Sequence, residues 1–582
     1  MKAAEMPRSA APVIRRRPPG AIDSLPGTLH PVLRRVYAAR GIIDADDLSL
    51  ELRRLLPVST LDGIAGATEL LLGHLARGSR ILVAGDFDAD GATSTAVVMR
   101  QLNRLGHRNL TFRVPDRMRH GYGLTPALVA ELAHERAELL ITVDNGVSAF
   151  AGIEAAQALG IEVLVTDHHL PGASLPDCAA HVNPNLPGAV FGSRALAGVG
   201  VAFYLMASVT RALEAARGCP QPPVADLLDL VALGTVADLV PLDRNNRILV
   251  NEGLRRLRAR AAVPGLMALA RVAGCRLDEL SARQLGHQIG PRLNAAGRID
   301  DMAVGIRCLL TDDASEAMAL AGTLDRLNRE RREMELRMRD EAAHAVRRLR
   351  IAEGSLPPGL ALFDPGWHAG IVGLVASRMK DRLHRPIVAF APAGDDELRG
   401  SARSVAGVHV RDALEAIATR HPGLIERYGG HAMAAGLTLR PSQLARFADA
   451  FADEIGRLLP PDQMMGVLDS DGELDASELS LDTARALESG GPWGQHFPEP
   501  LFDGVFDVAD SRIVGDRHLK LWLRPRADTL PIEAIAFGHF DDPQAARPAT
   551  GARVRLAYRL QSTTFGGTPR AELLAEYLQS CA

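Results

Sequence analysis

An apolar stretch, Ile81-Leu82-Val83-Ala84, runs directly into Gly85-Asp86-Phe87-Asp88-Ala89-Asp90-Gly91, and a helix-like segment from Ala92 to Leu105 follows. Alternate residues of an extended chain point the same way. Three aspartates at every second position therefore converge, and converging carboxylates repel unless a cation sits among them. Hard oxygen ligands suit Mg²⁺ or Mn²⁺. A calcium EF-hand also begins with spaced aspartates, but it needs a glutamate at loop position 12 and a helix in front. Counted from Asp86 that position is Val97, and a strand precedes. The feature calls for an α/β fold whose strand ends carry metal ligands.

Three more segments follow. Leu139-Leu140-Ile141-Thr142-Val143 leads into Asp144-Asn145-Gly146, and Ile161-Glu162-Val163-Leu164-Val165-Thr166 leads into Asp167-His168-His169. Leu233-Gly234-Thr235-Val236-Ala237 ends at Asp238. Ligands of open α/β sheets gather at the carboxyl ends of the strands, so four acidic or His-bearing ends in order form a constellation.

Together these residues resemble motifs I to IV of the DHH phosphoesterase superfamily, which is named for a triplet like Asp167-His168-His169. The likeness is greatest to its single-strand-specific 5′→3′ exonucleases. It extends to Gly290-Pro291-Arg292-Leu293-Asn294-Ala295-Ala296-Gly297-Arg298 and to Gly366-Trp367-His368-Ala369-Gly370. Gly400-Ser401-Ala402-Arg403-Ser404 and Gly429-Gly430-His431-Ala432-Met433 resemble the accompanying DHHA1 domain. The likeness runs from about Ser59 to the end of the chain.

The resemblance implies a site of two divalent cations, Mn²⁺ or Mg²⁺. Asp144 would bridge them, Asp90, His168 and Asp238 would complete one shell, and Asp88 would serve the other. Asp86 would be a ligand or an orienting group, at a position where some DHH relatives carry histidine. His169 would donate a hydrogen bond to the scissile phosphate, with Asp167 holding the imidazole pair. A lone imidazole among carboxylates shifts preference toward Mn²⁺. Ser401 and Arg403 are expected to line a pocket for the 5′ phosphate. Arg117, Arg292, Asn294, Arg298 and His431 are further candidates for contact with DNA. His368 is expected either in function or in stabilising a turn, and Trp367 and Trp493 in packing. The expected partners are single-stranded DNA and, by resemblance, a single-strand-binding protein and a helicase, with the chain acting as a monomer.

A chain of 582 residues is too long for one core. Its organisation is expected to be an arm over 1–56, a parallel-sheet DHH domain over 57–313, a connecting helix over 314–353, a second α/β domain over 354–459 and a small β-barrel of OB type over 460–582. The sheet is read from strands at 80–85, 110–114, 138–143 and 161–166 alternating with helices at 92–105, 126–136 and 149–159. The densely charged stretch Asp325 to Arg347 reads as an exposed connecting helix. The barrel is read from strand-like runs beginning at Phe506, His518, Ile532 and Val554, with a final helix from Ala571 to Leu578.

No apolar run approaches the roughly 18 residues of a membrane span, and no apolar core follows Arg15-Arg16-Arg17 to make a secretory signal. Five scattered cysteines without a C-x-x-C pair point to a reducing cytoplasm. A net charge of -4 leaves nucleic-acid binding open, because binding needs a local basic stripe rather than a basic total. Lys2, Lys380 and Lys520 are the only lysines, so the cationic surface is arginine. Two other functions fit the same motifs: a phosphodiesterase for short oligonucleotides or cyclic dinucleotides, and a catalytically silent nucleic-acid scaffold. The roughly 120 residues after the second domain weigh against the first, and the intact metal motifs weigh against the second.

Overall fold

The chain opens with a short strand, β1 (Val13–Arg16), whose partner lies far downstream. The structure, a computed structural model, describes residues 12–581 apart from 118, 354–355, 395, 461–463, 542–544 and 565–566. The first eleven residues of the arm, and Met118, lie outside the described residues.

The first large domain is built on a five-stranded parallel sheet: β2 (Ile81–Ala84), β3 (Leu110–Arg113), β4 (Leu139–Val143), β5 (Glu162–Thr166) and β6 (Ala180–Val182), in the order β3-β2-β4-β5-β6. All residues of β2 and β4 are buried, as expected for central strands covered by helices on both faces. The chain leaves β2 for β3 on one side and β4 on the other. This reversal opens a crevice at the carboxyl ends of β2 and β4, where Asp86 and Asp144 stand.

One expectation about the first motif needs correction. The helix after β2 begins at Ala89, not Ala92, and runs to Arg104, so Asp90 lies in its first turn. Asp88 caps that helix: its Oδ1 accepts from the amides of Asp90 (2.9 Å) and Gly91 (3.0 Å). The three carboxylates therefore converge across a strand-to-helix turn, not along an extended segment. Gly91 permits the turn, since a Cβ there would lie 2.6 Å from the Asp86 nitrogen.

The helix Gly198–Arg217 is long and apolar enough by composition to cross a membrane, but it is mostly buried inside the protein. It packs against the helices Ile64–Arg77, Ala89–Arg104 and Leu228–Ala237.

The connecting helix, Ala314–Glu353, has 40 residues, or about 60 Å at 1.5 Å per residue. Contrary to expectation it is not simply exposed. Ala317, Ala321, Leu324 and Leu327 enter the catalytic core. Met338 and Ala342 enter a second core with Trp367, Ile371 and Val375. Charged residues such as Arg326, Glu330, Arg332 and Arg337 are exposed on it, and composition alone did not separate them from the apolar positions. Beyond it, β7 (Leu360–Phe363), β8 (Ile387–Pro392), β9 (Leu398–Arg403), β10 (Arg427–Gly430) and β11 (Ala434–Leu439) form a mixed sheet in the order β10-β11-β9-β8-β7.

After β12 (Val467–Ser470), the strands β13 (Phe502–Val514), β14 (His518–Arg524), β15 (Ile532–Ala536), β16 (Arg553–Thr563) and β17 (Arg570–Ser580) close a five-stranded barrel. The expected final helix from Ala571 to Leu578 is instead β17. Its Ala, Leu and Glu residues favour helix locally, but pairing with β16 from Ala571 to Ser580, and with β15 from Glu572 to Leu574, overrides that preference. Lys520 lies inside this junction, paired with Glu533 (2.5 Å) and Glu572 (3.1 Å).

The N-terminal segment is a strap more than an arm. β1 pairs in parallel with β12, Arg16 pairs with Asp503 (2.9 Å), and Tyr37 packs on Trp493 and Phe497. Through it, one continuous apolar core joins the catalytic domain to the barrel.

Candidate metal centre and phosphate-binding cleft

The strand ends deliver their acidic residues to one place. The ligand atoms of Asp86, Asp88 and Asp144 lie within 4.8 Å of one another, as do those of Asp90, His168 and Asp238, and those of Asp144, His168 and His169. His168 Nε2 is 3.2 Å from Asp144 Oδ1, 3.5 Å from Asp238 Oδ2 and 3.9 Å from Asp90 Oδ2. Asp144 sits at φ 63°, a left-handed conformation that turns its carboxylate back over the sheet edge. Asp238 caps the end of the helix Leu228–Ala237. Asp90 accepts the amides of Gly198 (2.6 Å) and Val199 (3.0 Å) at the start of the long apolar helix, where the helix dipole favours an anion. Gly198 is obligatory here, because a Cβ would stand 2.8 Å from Asp144 Oδ1.

The electrostatics of these residues favour a cation among them. Burial, with the neighbouring carboxylates, pushes Asp86, Asp144 and Asp238 well above the usual range and Asp90 up to about 7. His168 is pushed down to about 4 by burial and by His169. Its ring also makes a hydrogen bond to the backbone of Leu196, while its buried Nε2 and Asp144 Oδ1 are without a hydrogen-bond partner among the described residues. A neutral imidazole with one nitrogen anchored and the other bare, facing bare carboxylate oxygens, fits a divalent cation.

Asp167 differs from these. Burial works to raise it, but hydrogen bonds win and hold it below the usual range. Its Oδ1 accepts the amides of His168 (2.7 Å) and His169 (3.1 Å) and the His169 Nδ1 (2.8 Å), and its Oδ2 accepts the Val147 amide (2.9 Å). Burial lowers His169, but this carboxylate outweighs it and leaves the imidazole raised. The His431 ring stacks on His169 at 6.2 Å between centroids, so the second α/β domain reaches the site directly.

Beside the carboxylates lies a cationic pocket. Arg117, Arg298 and Arg403 form no ion pair within 4 Å among the described residues, and burial lowers all three, helped at Arg117 by Arg399, at Arg403 by Arg117 and at Arg298 by Arg117, Arg331 and Arg403, which bring Arg298 to about 10. The Arg117 guanidinium lies 4.0 Å over the Phe87 ring, between the first two motif aspartates. Arg403 donates to Ser401 Oγ (2.9 Å). A Cβ at Gly373, in the first turn of the helix Val372–Leu383, would meet both groups at about 3 Å. Half-buried arginines with no ion pair among the described residues, next to a helix N-terminus, are suited to an anion such as a phosphate.

The other candidates divide. Arg292 is buried and its guanidinium is committed to Asp325 of the connecting helix (2.9 Å), so the structure takes it out of the substrate surface. Asn294 braces the first motif, its Oδ1 accepting from the Ala89 amide (2.7 Å). His368 accepts the Gly370 amide (3.1 Å), which is a turn-stabilising role. Trp367 is buried and donates to Glu341 (2.9 Å).

Several contributors had weak sequence signals. Tyr122 stands over the centre with its hydroxyl 3.3 Å from the Asp144 carbonyl oxygen, to which it donates, and its ring edge-on to His169. Its signal is an aromatic residue between two glycines, both at positive φ. Asn145 bridges β2 and β4 by donating to the carbonyls of Ala84 and Val143.

A cleft of about 1750 Å³ leads away from the centre, bounded by the catalytic domain, the connecting helix, the second α/β domain and the barrel. Its walls carry Arg258, Arg298, Arg332, Arg339, Arg485 and Arg559 among other residues.

A parallel sheet with Asp-His-His at a strand end, followed by a long helix and a second α/β domain, is the DHH and DHHA1 architecture. Residues 80–235 match the DHH family N-terminal domain, residues 357–457 the DHHA1 domain and residues 470–577 the RecJ OB domain. The chain is 50% identical over 568 residues to the single-stranded-DNA-specific exonuclease RecJ of Dickeya dadantii, covering 97% of this chain and 98% of that one. The crystal structure of Thermus thermophilus RecJ in complex with Mn²⁺ superposes with a TM-score of 0.79 at 31% identity, over 95% of this chain and 76% of that one. Its complex with Mg²⁺ gives 0.74 at 29% identity, over 95% and 75%. The chain belongs to the RecJ family.

Proposed function

We propose that the protein is a metal-dependent exonuclease that hydrolyses single-stranded DNA from its 5′ end to 5′-mononucleotides, in DNA repair and recombination. The observation that carries this reading is the pocket of unpaired Arg117, Arg298 and Arg403 lying against the carboxylate cluster. An anion site this close to a metal centre leaves room for a terminal nucleotide and selects an end, whereas an endonuclease needs an open path on both sides.

Asp144, which groups with Asp86 and Asp88 on one side and with His168 and His169 on the other, is assigned to bridge two ions. Asp90, His168 and Asp238 are assigned to one ion, and Asp86 and Asp88 to the other. A pair of Mn²⁺ or Mg²⁺ ions supplies a nucleophilic water at neutral pH and neutralises the leaving oxygen. His169, held by Asp167 and flanked by Tyr122 and His431, faces the scissile phosphate as a donor. Ser401, Arg403, Arg117 and Arg298 hold the terminal phosphate and so set polarity. The domain division at 57–313, 354–459 and 460–582 assigns chemistry to the first part, end recognition to the second and strand retention to the third. A helicase and a single-strand-binding protein are the proposed partners, since a free 5′-ended strand must be unwound and is then coated. A monomer acting in the cytoplasm is the proposed working form.

Arg403→Ala is expected to reduce the preference for a 5′-phosphorylated over a 5′-hydroxyl oligonucleotide by about 10–100-fold, the loss of one charge-assisted hydrogen bond of ~1.5–3 kcal/mol. Comparison of kcat/KM on the two substrates checks it. Equal loss on both would move Arg403 from end recognition to the general surface.

The strand path is tested separately. Arg332 and Arg485 are exposed on the cleft walls. The double variant Arg332→Ala/Arg485→Ala should bind long single strands with a salt dependence shallower by about 1.4 in log–log slope, two phosphates at ~0.7 each. An unchanged slope would mean that the strand does not follow this cleft.

A further inference from the structure

We propose that Asn183 and Asn185 are positioning residues for the metal centre, each fixing one imidazole of the His168-His169 pair through that residue's backbone carbonyl. The inference rests on the metal-centre reading above and adds two residues to it.

The pairing of β5 with β6 ends where function begins. Its last register pair is Thr166 with Val182, and the final ladder-like bond is the Asp167 amide on the Val182 carbonyl (3.1 Å). Past that point the peptide groups of His168 and His169 have no neighbouring strand, and buried backbone groups require partners. The Asp167 carboxylate takes both amides. On the carbonyl side the partners are two side chains: Asn183 Nδ2 donates to the His169 carbonyl (2.9 Å), and Asn185 Nδ2 to the His168 carbonyl (2.7 Å). Asn183 Oδ1 in turn accepts the Asn185 amide (2.8 Å), so one asparagine sets the other. Asn185 Nδ2 also lies 3.3 Å from the Arg194 carbonyl, tying in the segment that reaches Leu196, Gly198 and Val199. Those residues hold the His168 ring and the Asp90 carboxylate.

The two asparagines thus extend the sheet by one step in side-chain form. Both peptide units of the His-His pair are held at N–H and at C=O, which leaves the imidazoles no backbone freedom. Asn183 is fully buried, whereas Asn185 is only partly so, and Asn185 is the position to vary.

The test is Mn²⁺ binding to the full-length protein, followed by the electron paramagnetic resonance of free Mn²⁺. Asn185→Leu keeps the side chain's shape and removes the donor. It is expected to weaken Mn²⁺ binding about 10–100-fold, to lower kcat, and to leave KM for a single-stranded oligonucleotide and the melting temperature of the metal-free protein near wild type. Should the leucine variant fail to fold, Asn185→Asp, of equal size and also without the donor, is read by the same criterion. Mn²⁺ affinity within about threefold of wild type in the folded variant would overturn the assignment. So would a fall in metal-free melting temperature with Mn²⁺ affinity preserved, which is the mark of a purely structural role. Wild-type protein that takes up no Mn²⁺ would instead overturn the metal-centre reading.

Discussion

Asp144→Asn is expected to lower turnover of 5′-phosphorylated single strands by at least about 10³-fold, a barrier rise of ~4 kcal/mol. Asparagine is among the few residues that tolerate left-handed φ, so the turn at φ 63° survives and the backbone of β4 is undisturbed. What disappears is the negative charge that stands with Asp86 and Asp88 on one side and with His168 and His169 on the other. Binding of the strand depends on the arginines of the pocket and cleft, and should stay within about threefold of wild type, under ~0.7 kcal/mol. Mn²⁺ stoichiometry by calorimetry should fall alongside turnover. A variant that keeps more than about a tenth of wild-type turnover, a barrier change under ~1.4 kcal/mol, would remove Asp144 from the bridging position.

The second large effect is on stability. Arg40 and Asp471 are each 2% exposed and joined by two hydrogen bonds of 2.6 and 2.9 Å, with Arg40 also donating to the Pro498 carbonyl (2.9 Å). Removing one partner of a buried pair strands the other charge, at a cost of about 3–5 kcal/mol. Arg17 lies 3.8 Å from the same carboxylate but too far to replace two direct bonds. Arg40→Ala should therefore lower the local opening free energy of β12 and the barrel junction by that amount. Amide hydrogen exchange in Val467–Ser470 measures it, and Arg40→Ala/Asp471→Ala should recover part of the loss. A change below ~1 kcal/mol, the low end for a net hydrogen bond, would show that the apolar contacts of Tyr37 hold the junction without the ion pair.

Much of this molecule can be read from one sequence because its chemistry sits at strand ends. Apolar runs ending in Asp86, Asp144 and Asp167 announce both the sheet and the edge at which it works, and a parallel sheet needs few other facts to fix where those ends meet. Arg292 could not be sorted from Arg298 in the same way. They lie six residues apart in one motif, and only the packing of the connecting helix decides that one meets Asp325 while the other lies with Arg117 and Arg403. Residues 571–578 were misleading because local helix preference there opposes a long-range pairing. The strap was illegible for a related reason: nothing near Val13 or Arg40 specifies a partner more than 400 positions away.

That last pairing has a temporal consequence. β1 is synthesised long before its partner strand, since Arg16 pairs with Ser470. At about 5–20 residues per second, roughly 20–90 seconds of synthesis separate the two. During that interval the nascent catalytic domain carries a hydrophobic helix face, Val32, Leu33, Val36 and Tyr37, whose covering helix does not yet exist. The growing chain is then open to aggregation and to chaperone capture, and that face is covered only when the segment around β12 and the helix after it arrives.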